Sequence, residues 1–221
     1  MNADDAVSHY TQLAAETRLQ RGADEPRWLE ERRASALASF TAGGFPTRKQ
    51  EGWRYTSLDK LLTQTFATPR EPAYRISQKS ISSLRTTDAE AVRLVFCDGH
   101  LVEPLSDINN LPDGIQISSL RDRLTSPSKQ VSEQLDRLFE NDYEGFDYIN
   151  TTLAKDGLWL EVEANVSLER PIEVIHTSQQ RDMGLLLVPR NLVILHPGAQ
   201  ATLIEHYSSP PGSTDFTNSV T

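Results

Sequence analysis

His196, Glu205 and His206 are imidazoles and a carboxylate of the kind that hold iron or zinc on β-structure. Neighbours in a strand face opposite sides, so Glu205 and His206 reach one ion only across a bulge, and the His-X-His spacing of cupin-type sites is missing. Glu161 and Glu163 share one face of a strand, as two-acid glycoside hydrolysis needs, but they alternate with apolar residues and are expected on the solvent side. Cys97 ends an apolar run beside Asp98, whose charge disfavours a thiolate; a buried small side chain is expected rather than a nucleophile or cluster ligand. His176 follows Ile172 and Val174 on one face and reads as a buried structural histidine with a hydrogen-bond partner. Glu133, Asp136, Glu140, Asp142, Glu144 and Asp147 invite a calcium loop, but aligning Glu140 on the first position puts Thr151 where the bidentate Glu belongs. A solvated helix face accounts for them. With no phosphate-cradling glycine loop, nucleophile elbow or Cys-X-X-Cys in the sequence, no catalytic residue, cofactor or metal ligand is assigned.

The stretch from Phe45 to Leu58 sets Trp53, Arg54 and Tyr55 beside Arg48 and Lys49, rings among cations with no catalytic residue type nearby. Such a patch could stack bases and hold phosphates, but Glu51 interrupts it. The reading preferred here is an architectural joint, in which aromatics pin a loop to the domain behind it and an Arg stacks on a ring. Residues 1–66 carry nine Lys/Arg against nine Asp/Glu, whereas residues 67–221 carry thirteen against twenty-two, so a phosphate backbone would be repelled everywhere but in the first part. One cysteine allows no internal disulfide; with no basic start leading into an apolar core and no run near the ~20 apolar residues of a spanning helix, a cytoplasmic protein without nucleic-acid or membrane partners is expected.

Residues 1–66 read as helical. Val7, Tyr10, Leu13 and Ala14 recur at helical spacing; Asp24-Glu25-Pro26 supplies a cap and a first-turn proline to a second helix that aligns Leu29, Ala36, Leu37 and Phe40 and stops at Gly43-Gly44. Thr56 and Asp59 have capping-box spacing ahead of a third, carrying Leu61 and Leu62. Residues 67–157 form a mixed connector. It holds a short helix near Ile81 and Leu84, a hairpin around Asp98-Gly99, a strand at Ile115 and Ile117, and helices at Val131–Phe139 and Phe146–Leu153. From residue 158 to 221 the period is two: Leu158, Leu160, Val162, Ala164, Val166 and Leu168 predict one half-buried strand of eleven residues, followed by short strands near 172, 185, 192 and 201. Phe216 to Thr221 resembles the start of another, which suggests a fragment. Sandwich, barrel and solenoid all remain open on this pattern.

Three segments in the same order resemble the SufB/SufD family of iron-sulfur cluster assembly proteins, its SufD branch in particular: Pro46 to Leu58, Leu94 to Asp107, and Gly198 to Tyr207. The resemblance makes Pro46, Arg48, Trp53, Arg54, Tyr55 and Leu58 a family signature with a structural role. It implies an α+β fold, an N-terminal helical region followed by a right-handed parallel β-helix that is truncated here. It further implies a non-enzymatic scaffold subunit with a SufB-like paralogue and a SufC-like ATPase as partners, and a homodimer as a further option. On that reading the residues implicated in cluster chemistry and the ATPase-docking domain lie beyond this chain, which itself holds no cluster. The alternative from the residues alone is a β-helical or cupin-like metal or carbohydrate enzyme using Glu161, Glu163, His196 or His206.

Overall fold

A computed structural model describes residues 3–21, 25–70, 76–86, 90–125, 129–135, 144–179 and 181–221. Helices α1 (Ala3–Arg21) and α2 (Arg27–Gly43) pack on each other and on α7 (Gly145–Leu153) through the predicted apolar stripes. Their shared core is a chain of edge-to-face rings: Tyr10 to Phe45 at 5.0 Å, Phe40 to Phe45 at 5.1 Å, and Phe45 to Phe146 at 5.3 Å. Gly44, at φ 66°, ends α2 and donates its N–H to the Phe40 carbonyl.

The capping expectations need correction. Pro26 is itself the N-cap residue of α2 and makes no side-chain cap; Glu25 turns instead to Arg33, and Asp24 lies outside the described residues. Helix α3 (Asp59–Leu62) has Leu58 at its N-cap, and Ser57 rather than Thr56 bonds the Asp59 carboxylate, at 2.7 Å. Ser57 lies two residues before Asp59, and its hydroxyl also accepts the Asp59 N–H, a local turn that displaces the reciprocal bond a capping box needs. Helix α4 (Gln78–Ser82) holds the buried Ile81, as expected, and is capped by Ser77.

Strand β1 (Val92–Cys97) turns through Asp98 and Gly99, both at positive φ, into antiparallel β2 (His100–Leu101). Next come β3 (Ile115–Ser119), α5 (Leu120–Thr125), α6 (Lys129–Gln134), α7, β4 (Leu158–Val162), β5 (Ile172–Thr177), β6 (Leu186–Leu187), β7 (Leu192–Leu195), β8 (Leu203–Ser208) and β9 (Phe216–Thr217). They form three sheets, ordered β2-β1-β5-β8, β3-β4-β7 and β6-β9. Their later pairings share one geometry. Strand β5 pairs parallel with β8 (Ile172 with Leu203), β4 with β7 (Trp159 with Leu192) and β6 with β9 (Leu186 with Phe216), and Ser167 bridges Gln200. Each of these partners is 30–33 positions along the chain, so one turn of polypeptide lies on the next. On the far side, β2 and β3 pair antiparallel with β1 and β4, closing two of the sheets at that end.

Leu94, Val174 and Leu203 from the first sheet meet Ile117, Leu160 and Val193 from the second in the central core. The predicted eleven-residue strand is a five-residue one. Chain direction changes at Ala164 and Asn165 (φ 61°), where Asn165 donates its N–H to the Pro197 carbonyl; Leu168 beyond the corner again faces the same core. Alternation therefore survived a corner that sequence could not show. Nor is β4 half-buried: all five residues are covered, because Trp159 on its outer face is packed under Leu29, Leu120, Leu124 and Leu135.

Candidate functional site

The loop from Phe45 to Leu58 crosses the N-terminus of α7. Buried Phe45 and Pro46 lie so close to Gly145 that a Cβ there would stand 2.4 Å from the Gly44 carbonyl oxygen. Thr47 donates its N–H to the Gln50 side chain at 2.6 Å, and a single 3-10 turn, Glu51–Trp53, then delivers the indole. Trp53 Nε1 donates to Glu144 Oε2, while its ring lies 5.3 Å from Phe146. Glu144 is the N-cap of α7 and forms a capping box with Asp147, whose Oδ2 accepts the Glu144 N–H at 3.0 Å. Burial, with the neighbouring Glu144 charge, pushes the Asp147 carboxyl above its ordinary range.

Of the predicted signature residues, Trp53 and Pro46 engage the body of the protein, and half-buried Leu58 joins the helical core. Tyr55 does not. It is 91% exposed, with the Arg54 guanidinium 5.7 Å from its ring centre, and Arg48 is also exposed. So the pinning expected of the aromatics falls on Phe45 and Trp53, and the contact of Arg54 with the Tyr55 ring occurs out in solvent. With its ring against Phe146 and its N–H on Glu144, Trp53 offers no stacking platform for a base.

The other candidates are dispersed. Glu161, expected outside, is buried, and its Oε1 lies 2.9 Å from His196 Nε2; Glu163 is exposed. Trp159, two residues before Glu161 on the same side of β4, is the residue that the α2 and α5 layer covers. Glu205 accepts bonds from Asn191 (2.5 Å), Tyr207 (2.8 Å) and Thr221 (3.2 Å), a latch between successive turns rather than a ligand set. Among the described residues, no group of three or more His, Cys, Asp or Glu is placed to hold a metal ion.

His176 stacks between Phe96 (5.0 Å) and Tyr207 (4.8 Å), one ring from each of β1, β5 and β8. Among the described residues the hydrogen bond expected for it is missing at buried Nε2, and burial lowers the imidazole to about 4, so it stays neutral. Burial first, and then Asp98, push the Cys97 thiol up to about 12, well away from a nucleophile. Glu144 and Asp147 are cap residues, not part of a solvated face, because they stand at the start of α7 where its free N–H groups point. Exposed Glu133 fits the expectation; Asp136, Glu140 and Asp142 lie outside the described residues.

Sequence reasoning missed two buried features. Arg93 and Glu173 sit side by side on β1 and β5 with Nε and Oε2 2.6 Å apart; a charged residue inside each of two apolar runs was the available signal. Asp156 is a buried hub that accepts Ser119 Oγ at 2.6 Å and the N–H groups of Arg121 and Gly157 at 3.1 and 2.7 Å. Burial nonetheless holds its carboxyl above the ordinary range.

Residues 4–174 of this chain match the family described as SufBD protein N-terminal region. The chain belongs to the SufBD family. Two of the three resembling segments fall inside that match, and Gly198 to Tyr207 follows it. A SufBD-family relative from Escherichia coli, named iron-sulfur cluster assembly protein SufD, is 30% identical over 82% of this chain and 40% of its own length. Another from Synechocystis, named an iron-sulfur cluster assembly SufBD family protein, is 25% identical over 74% of this chain and 36% of its own. The chain thus spans about two fifths of the length of these SufBD relatives.

Proposed function

We propose that this chain is the N-terminal part of a SufD-like scaffold subunit in an iron-sulfur cluster assembly complex, working in the cytoplasm with a SufB-like paralogue and a SufC-like ATPase. The observation that carries the reading is the family match joined to parallel pairing at a 30–33-residue offset, closed by β2 and β3 and with β7, β8 and β9 as the last members of their sheets. On this proposal the strands are the first coils of a right-handed parallel β-helix, and more coils continue it from β8 in the longer protein. The proposed role is non-catalytic: the chain supplies a rigid platform, Trp53 pins the signature loop to α7, and the cluster is cargo of the assembled complex rather than a resident group. No helix among the described residues is long and apolar enough to cross a membrane.

Affinity purification tests this. The protein as the cell makes it, tagged at its N-terminus, is expected to bring down both the paralogue and the ATPase, while residues 1–221 alone retain no ATPase. Tight capture of the ATPase by residues 1–221 would overturn the placement of that interface, and capture of neither partner by the whole protein would overturn the function.

A further inference from the structure

Between the C-terminal half of α1, the start of α2, and α5 lies a cavity of about 610 Å3, the size of a small-molecule site. Arg21 and Arg33 form its floor, Arg70 and Arg121 stand exposed at its mouth, and Leu29 and Leu124 supply apolar walls. Lys155 adds a fifth cation but is engaged, with Nζ 2.7 Å from Gln20 Oε1 and 2.9 Å from the Pro69 carbonyl. Against these, the described lining holds two carboxylates, Glu16 and Glu25.

Among the described residues the floor is under-neutralised. Glu25 serves both arginines, at 2.9 Å from Arg33 Nε and 3.9 Å from Arg21 Nε, and the second distance is too long for a hydrogen bond. Among the described residues, buried Arg21 Nε has no hydrogen-bond partner. Both guanidiniums also cap the last turn of α7, Arg21 on the Thr152 carbonyl at 2.5 Å and Arg33 on that of Thr151 at 3.0 Å. Capping explains their position but not the cavity in front of them. Burial, reinforced by the Arg33 charge, lowers Arg21 to about 9, the effect of a cation short of counter-charge.

We infer that this cavity binds a small, multiply charged oxyanion, a phosphate ester or polycarboxylate, on the floor formed by Arg21 and Arg33 and between Arg70 and Arg121 at the mouth. Planar guanidiniums suit bidentate oxyanions, and the leucine walls suit an organic body attached to one. The inference is independent of the scaffold reading.

Titration calorimetry at low salt, using inorganic pyrophosphate and citrate as probes on residues 1–221, tests it. Saturable one-to-one binding that weakens as salt rises is expected, with affinity falling roughly tenfold or more in the Arg70→Glu, Arg121→Glu double variant. Urea midpoints measured alongside confirm that each variant is folded when its binding is read; the neutral Arg70→Gln, Arg121→Gln pair should lose affinity in the same direction by less. Binding of pyrophosphate alone or of citrate alone upholds the site and identifies its oxyanion class. Binding of neither, or undiminished binding in the charge-reversed variant, overturns it.

Discussion

Gly157→Ala is expected to cost more than about 3 kcal/mol and to leave residues 1–221 largely unfolded at modest urea. At this corner, just before β4, a Cβ would stand 1.9 Å from the carbonyl oxygen of Arg190 and 2.8 Å from Asn191 Oδ1. Arg190 is not a flexible neighbour. Its N–H is bonded to the Asp156 carbonyl at 3.1 Å, and Asn191 Oδ1 accepts the Leu158 N–H at 2.8 Å, so two stacked corners would have to separate. Gly184 meets the carbonyl oxygen of Thr214 in the same way, 2.4 Å from where its Cβ would be, again one turn later in the chain. Close approach at such offsets is what stacked turns require of their corners. Gly52→Ala supplies the control: a Cβ there meets nothing within 4 Å, and stability should stay within about 0.5 kcal/mol of wild type. Equal urea midpoints for the two variants would remove the stacked-corner argument.

Glu173→Ala is expected to cost about 3–5 kcal/mol, because it leaves the Arg93 guanidinium buried without its carboxylate. Glu173 also accepts the N–H and hydroxyl of Thr86, at 2.6 and 2.8 Å, so the loss spreads to the segment that leads into β1. Replacing both partners, as Arg93→Met with Glu173→Leu, should restore much of the stability, since neither charge is then stranded. Urea midpoints decide it, and a double variant no better than the single would contradict the ion-pair account. The pH dependence follows. Burial alone would raise the Glu173 carboxyl, but the bonds from Thr86 and Arg93 outweigh it and hold it below its ordinary 4.5. Its contribution is therefore complete above about 4.5 and is lost as pH falls through the lower folded value, where the gap between wild type and Glu173→Gln should narrow.

The Asp98-Gly99 hairpin was legible because two positive-φ residues between apolar runs admit one solution. Helices α1, α2 and α7 were legible because each buries a single stripe. The corner at Ala164 and Asn165 was not, because its flanking residues keep their alternation across it and a straight strand reads the same. The expectation that Glu161 and Glu163 face solvent assumes that β4 has one covered face; it holds for Glu163 and fails for Glu161, which lies on the side of β4 where Trp159 is covered by residues 24 to 130 positions away. In the loop, composition marked out all the rings, yet only contact with Glu144 and Phe146 separates the anchoring Trp53 from the solvent-facing Tyr55. The arginine-lined cavity left no motif, since its arginines come from α1, α2, α5 and the segment after Phe66.

Amide hydrogen exchange along β8 tests the central claim, a stack of parallel turns closed at one end and continued at the other. In residues 1–221, β1 and β5 amides should exchange slowly, each strand lying between two others, while the alternate β8 amides facing away from β5 exchange fast. In the longer protein proposed above, those same β8 amides should become as slow as those of β5. If they are equally slow in residues 1–221 alone, or remain fast in the longer protein, the stack does not continue from β8 and the scaffold account fails.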